Sequence, residues 1–271
     1  MYLESVQKLL KKFYTGNRQD IVDEIWDFYL KSKYCVINFL YYPQIIGFHQ
    51  FENEKSMSLM EKKYRKTILR SAFLLPDGIA LQIYYFCAVK LKKIDSPTAH
   101  LNNLNGTDFT PYFLVEIEKK IGKHKLGLIC YGAREENLEK ACYYLGGLGF
   151  DVIYAQEGFS EFDWKTAHKA IKESDKEVFI MLQGRSTPTK PLQELWTDEN
   201  RENIQKNQLI LLNVGGLFDW RSGDQKRAPI LVRKAKLERL RRFISNPKRN
   251  FQKILNTAKG APHLFSLPFA R

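Results

Sequence analysis

Six short, uninterrupted apolar runs recur along the chain, at Cys35 to Leu40, Phe73 to Leu75, Leu126 to Tyr131, Val152 to Ala155, Glu177 to Leu182 and Leu209 to Val214. Stretches of helical periodicity lie between them, Glu135 to Leu145 and Lys165 to Lys172 among them. Strands that are apolar on both sides are covered on both faces, and helices of this length supply the crossovers that parallel pairing needs. Right-handed crossovers follow from strand twist. The expected fold class is therefore α/β: a Rossmann-like, mostly parallel sheet with helices on both faces, plus a basic helical C-terminal appendage. With 271 residues, 44% of them hydrophobic, one core and one appendage are the natural division. We place the α/β core at 1–225 and the appendage at 226–271.

In open α/β sheets, ligands bind in the crevice beyond the carboxyl ends of the strands. The residues just after four of the expected strands are Pro76-Asp77-Gly78, Gly132, Gln183-Gly184 and Gly215-Gly216. Each taken alone reads as an ordinary tight turn between strand and helix. Four on one rim, one of them carrying a carboxylate, read as a nucleotide pocket, because glycines admit close backbone approach and the helix starts that follow favour phosphate.

Two amphipathic helices open the chain, Leu3 to Phe13 and Ile21 to Leu30, separated by Gly16-Asn17. The alternation of apolar and charged residues from Met1 to Lys12 leaves no uninterrupted stretch for a signal peptide. Ser71 to Val89 holds a single charge, but Pro76, Asp77 and Gly78 break its centre. It reads as two buried segments flanking a loop, not as a membrane span. The four cysteines are widely spaced in apolar runs, and the five histidines lack metal-ligand spacing. No metal site is expected, and a reducing cytoplasm suits the free thiols.

The net charge of +13 is concentrated near the C-terminus. Twelve Lys or Arg lie between Lys226 and Lys259 against one acid, Glu238, so eleven of the thirteen net positive charges sit there. Such a segment meets something anionic: phospholipid headgroups, a pyrophosphate or nucleic acid. Its spacing gives two helical pieces. One follows Pro229 with Leu237, Leu240 and Ile244 in step, and the other restarts at Asn246-Pro247 with Phe251, Ile254 and Leu255. An apolar stripe flanked by Lys and Arg is what an interfacial helix presents to an anionic bilayer, and equally what a helix packed on the domain presents to solvent.

The run from Asn213 to Pro229, NVGGLFDWRSGDQKRAP, resembles the signature of the WecB/TagA/CpsF glycosyltransferases, approximately VGGxFDxxxGxxxRAP. The likeness continues through Arg233, Leu237-Glu238, Arg242 and Pro247-Lys248-Arg249. Leu75-Pro76-Asp77-Gly78-Ile79 is similar to the family's LPDGxG loop, and Pro191-Leu192-Gln193-Glu194-Leu195-Trp196 to its PKQExW element. Weaker likenesses are Tyr131-Gly132-Ala133, Gly158-Phe159 and Gly106-Thr107-Asp108, so the resemblance covers roughly Phe73 to Arg249.

The resemblance implies a metal-independent, inverting transferase that needs no cofactor beyond its donor. It would move a sugar, of N-acetylmannosamine type or a related hexose, from a UDP-sugar to a polyprenyl-diphosphate-linked acceptor in cell-surface polysaccharide or teichoic acid synthesis. Direct displacement needs a base for the acceptor hydroxyl and donors or positive charge for the departing diphosphate. Asp77 is the candidate base, and Gln193 a contact to donor sugar or acceptor. Gly132, Glu194, Gly215, Gly216 and Asp219 are the candidate substrate-binding residues of the core, and Arg227, Arg233 and Arg242 those of the appendage, suited to bidentate diphosphate contacts. The expected location is cytoplasmic, peripheral on the inner face of the cell membrane, with the tail on the anionic surface. Oligomeric state is open, self-association included.

The chain departs from the family at two points. Leu40-Tyr41-Tyr42-Pro43-Gln44 stands where a Thr-Pro-Asn element is usual, and Asn103 where an arginine is usual. The loop before Gln193 is also longer, with Arg185 and Lys190 as candidate replacement charges. These departures motivate an alternative, a catalytically silent sugar-nucleotide-binding or scaffold protein at the membrane. Nucleic-acid binding through the tail lacks any accompanying fold signature, and no nucleic-acid partner is expected.

Overall fold

The computed structural model describes residues 2–49, 59–122, 124–184 and 191–222, with 265, 267 and 269. Among the described residues there are six strands and eleven helices: α1 (Tyr2–Lys11), α2 (Arg18–Ser32), β1 (Cys35–Tyr41), α3 (Tyr42–His49), α4 (Leu59–Arg70), β2 (Phe73–Asp77), α5 (Ile79–Lys90), α6 (Gly106–Ile121), β3 (Leu126–Gly132), α7 (Glu135–Gly147), β4 (Asp151–Gln156), α8 (Trp164–Glu173), β5 (Val178–Gly184), α9 (Pro191–Glu199), α10 (Arg201–Lys206), β6 (Leu209–Asn213) and α11 (Leu217–Arg221). The six apolar runs are the six strands. They form one sheet in the order β2-β1-β6-β5-β3-β4, and every pairing is parallel. The expected appendage at 226–271 lies outside the described residues but for positions 265, 267 and 269.

Side-chain alternation along the strands divides the core into layers. On one face, Ile37, Phe39, Leu128, Cys130, Ile180, Leu182, Ile210 and Leu212 pack against α2, α6 and α7. On the other, Leu40 and Leu74 meet α1, α4 and α5. Further along that second face, Ile129, Tyr131, Phe179, Met181, Leu209 and Leu211 meet α8, α9 and α10. Burial on both sides is why the inner strands read as continuous apolar runs.

Local signals fix several helix starts. Asn17 caps α2 by accepting from the backbone N–H groups of Gln19 and Asp20 at 2.8 and 2.9 Å. Asp163 caps α8 in the same way through Lys165 and Thr166, and Asn105 caps α6 through Asp108. One expectation needs correction. Pro76 and Asp77 are not in a loop but complete β2, in register with Leu40 and Tyr41. Proline is accommodated because β2 is an edge strand, where an outward N–H has no partner to lose. The break between the two buried segments contracts to Gly78, whose φ of 90° suits glycine.

Candidate active site

Because every strand runs the same way, all the carboxyl ends lie on one edge, and the glycines foreseen at strand ends converge there. Gly132 and Gly184 are register partners closing β3 and β5. Gly215 follows β6 with φ of 59°, and Gly132 has φ of 139°, both in the left-handed region. Gly184 is needed for room. A Cβ there would lie 2.8 Å from the Gly215 carbonyl oxygen and 2.8 Å from the Phe218 ring. Three backbone bonds stitch the rim: Ala133 N–H to Gly184 O, Gly158 N–H to Ala133 O, and Val214 N–H to Gln183 O. The chain leaves β3 into α7 on one face and β5 into α9 on the other, which opens the crevice between them.

Helix α9 carries the PLQELW element and is held from two sides. Trp196 sits in an aromatic cluster, with ring centroids 5.0 Å from Tyr131, 5.9 Å from Phe162 and 6.0 Å from Trp164, stacked on the last. Beneath the helix runs a buried chain of hydrogen bonds. The Thr197 hydroxyl lies 2.9 Å from the Gln193 carbonyl and 3.1 Å from Asn213 Oδ1. Asn213 Nδ2 donates to Asn38 Oδ1, and Asn38 Nδ2 donates to Ser71 Oγ at 2.6 Å. Buried amides paired in this way lock strands and helix in one arrangement. Gln193 and Glu194, on the first turn of α9, are themselves buried.

Asp77 ends the edge strand directly opposite Tyr41 and is partly exposed. Burial pushes the Tyr41 phenol above the ordinary tyrosine range, and the negative charges of Glu194 and Asp77 act in the same direction. Burial and then Glu194 raise Tyr64 as well. In both phenols the shift favours the protonated form. Gln44 links them, accepting from the Tyr41 backbone N–H at 3.0 Å and donating to the Tyr64 hydroxyl at 2.8 Å. On the other side of Asp77, Asn103 Oδ1 accepts from Gly78 N–H at 3.0 Å, and Pro76 O accepts from Leu104 N–H at 2.9 Å.

Of the residues singled out from sequence, Gly132, Gly215 and Gly216 sit on the rim, Gln193 and Glu194 lie in α9, and Asp77 is the register partner of Tyr41, whose phenol feels the charges of Asp77 and Glu194. Asp219, on α11, lies beside Gly216, where a Cβ would be 3.9 Å from its Oδ2, and it accepts from Asn137 Nδ2 at 3.2 Å, tying α11 to α7. Arg227, Arg233 and Arg242, like Arg185 and Lys190, fall outside the described residues. The motifs did not point to Tyr41, Tyr64 or the Asn38–Asn213–Thr197 chain. The signal for the asparagines was available: a polar amide inside an otherwise apolar strand is costly unless partnered. Among the described residues no three His, Cys, Asp or Glu form a group able to hold a metal ion, and no helix is long and apolar enough to cross a membrane.

A parallel sheet covered on both faces, with glycines lining its carboxyl edge, defines a Rossmann-like α/β protein. The chain belongs to the glycosyl transferase WecG/TagA/CpsF family, whose model matches residues 50–266. It is thus an enzyme, a glycosyltransferase. A Bacillus spizizenii protein, N-acetylglucosaminyldiphosphoundecaprenol N-acetyl-beta-D-mannosaminyltransferase, is 25% identical over 218 residues, covering 79% of this chain and 73% of that one.

Proposed function

We propose that the protein is an inverting hexosyltransferase. It moves a sugar of N-acetylmannosamine type from a UDP-sugar to a polyprenyl-diphosphate-linked acceptor during cell-surface polymer synthesis. The observation that carries this reading is the position of Asp77. In a chain of this family, it ends a strand at the same edge as the glycine rim, is partly open to solvent, and lies opposite Tyr41, whose phenol feels the charges of both Asp77 and Glu194.

Asp77 takes the proton of the acceptor hydroxyl as that oxygen bonds to the anomeric carbon, and the UDP departs with the electrons of the breaking bond. Backbone N–H groups at the rim and the tail arginines Arg227, Arg233 and Arg242 meet the diphosphate charge, and Gln193 orients the sugar. Residues 226–271 rest on the anionic inner face of the membrane, where a lipid-linked acceptor presents itself. No metal or further cofactor takes part in this scheme.

Offering UDP-N-acetylmannosamine and other UDP-sugars with a short-chain polyprenyl-diphosphate sugar tests the proposal. The native protein should form product, and Asp77→Asn should lose about 10²- to 10⁴-fold in turnover with its folding intact. Equal turnover by both would remove Asp77 as the base. The silent-binder reading has one observation in its favour: Asn103, a neutral side chain where the family usually has arginine, is engaged with Gly78 N–H beside Asp77. Calorimetric UDP binding without product from any donor would select it.

A further inference from the structure

Gln183 is the penultimate residue of β5, in register with Tyr131 on one neighbour and Asn213 on the other. It is fully buried, and among the described residues neither its amide nitrogen nor its amide oxygen has a hydrogen-bond partner. The polar groups of its two register neighbours are engaged elsewhere. The Tyr131 hydroxyl donates to Ser160 O at 2.8 Å, and Asn213 is engaged with Asn38 and Thr197. Side-chain alternation places Gln183 on the face of Phe179 and Met181, the face covered by α9, and the next residue is Gly184 on the rim. The layer holding two donor positions and an acceptor without partners is thus immediately below the glycine-lined crevice.

A buried amide left without partners lowers stability, so its presence calls for a compensating use. Its chemistry narrows the ligand. An amide is neutral, which disfavours it as a diphosphate contact, whereas it matches groups that both donate and accept, such as sugar hydroxyls or an acetamido group. We infer that Gln183 is a specificity-determining residue that hydrogen-bonds the neutral polar groups of the transferred sugar. The inference rests on the glycosyl-transfer reading. A site that pairs a buried amide with a substrate group rejects substrates lacking that group, because the amide then stays unpaired.

The test compares the native protein with Gln183→Met, which keeps length and removes the polar atoms. Three quantities are read: melting temperature, calorimetric affinity for UDP and for a UDP-N-acetylhexosamine, and kcat/KM. The expected pattern is a melting temperature equal to or above that of the native protein, UDP affinity unchanged within twofold, and both UDP-sugar affinity and kcat/KM lowered tenfold or more. A higher melting temperature with every affinity and kcat/KM unchanged makes the amide a structural burden or a water site, and overturns the inference. Equal weakening toward UDP and UDP-sugar assigns Gln183 to the nucleotide and likewise overturns it. A lower melting temperature reveals a structural partner and does the same. If the native protein binds UDP-sugar yet forms no product, glycosyl transfer falls, while loss of the sugar increment in Gln183→Met still upholds the sugar contact.

Discussion

At the residue scale, Gly184 and Gly215 show two different reasons for glycine on one rim. Gly215 is open around its missing Cβ, and its requirement is the positive φ of 59°. Gly184 has an ordinary conformation, and its requirement is space, since backbone oxygen and a buried ring both occupy the place of a Cβ. A backbone carbonyl cannot rotate out of the way as a flexible side-chain end would. Gly184→Ala is therefore expected to cost about 1–3 kcal/mol, measurable as a lower urea midpoint at unchanged slope. A sequence displays both residues alike, as a glycine after an apolar run. The distinction between them comes from β6 and α11, which fold back onto the end of β5.

At the scale of single elements, α9 is the part whose placement matters most, because Gln193 and Glu194 ride on its first turn. Its anchor is Trp196, buried among Tyr131, Phe162 and Trp164. Trp196→Ala is expected to destabilise the protein by about 3–5 kcal/mol in chemical denaturation, and to lower turnover as well by loosening the helix. Helix α8 offers a pH-dependent contrast. Hydrogen bonds from Thr166, then Lys165 N–H, hold the Asp163 carboxyl below its usual range. A lowered folded value means the cap's ionic contribution is complete above about pH 3.9, the ordinary aspartate value, and is lost as pH falls through the lower folded value. Asp163→Asn keeps an acceptor at the cap but removes this titration. Its melting temperature should fall less steeply than that of the native protein between about pH 5 and pH 2, as followed by circular dichroism.

For the whole molecule, the division of charge is the main physical fact: a nearly neutral body joined to a segment carrying eleven net positive charges. Removal of residues 226–271 is expected to abolish flotation with vesicles rich in anionic lipid. The intact protein's binding should weaken as salt rises from about 0.05 to 0.5 M, since screening shortens the reach of surface charge. Binding that is unchanged by the truncation would move the membrane contact elsewhere on the protein. The sequence by itself determined the six strands, their parallel pairing in a sheet covered on both faces, the glycine rim and the family, because these depend on local periodicity, on burial of both strand faces and on contiguous motifs. Asn105, Asn17 and Asp163 were likewise local, each bonding within three residues. Only the tertiary structure decided that Pro76 and Asp77 belong to a strand, that Tyr41 lies opposite Asp77, that Asn213 donates to Asn38, and that Gln183 has no hydrogen-bond partner among the described residues. Each of these depends on which residue lies opposite across a strand pair or beneath a helix, and partners as far apart in the chain as 38 and 213 meet only once the crossovers have closed the sheet.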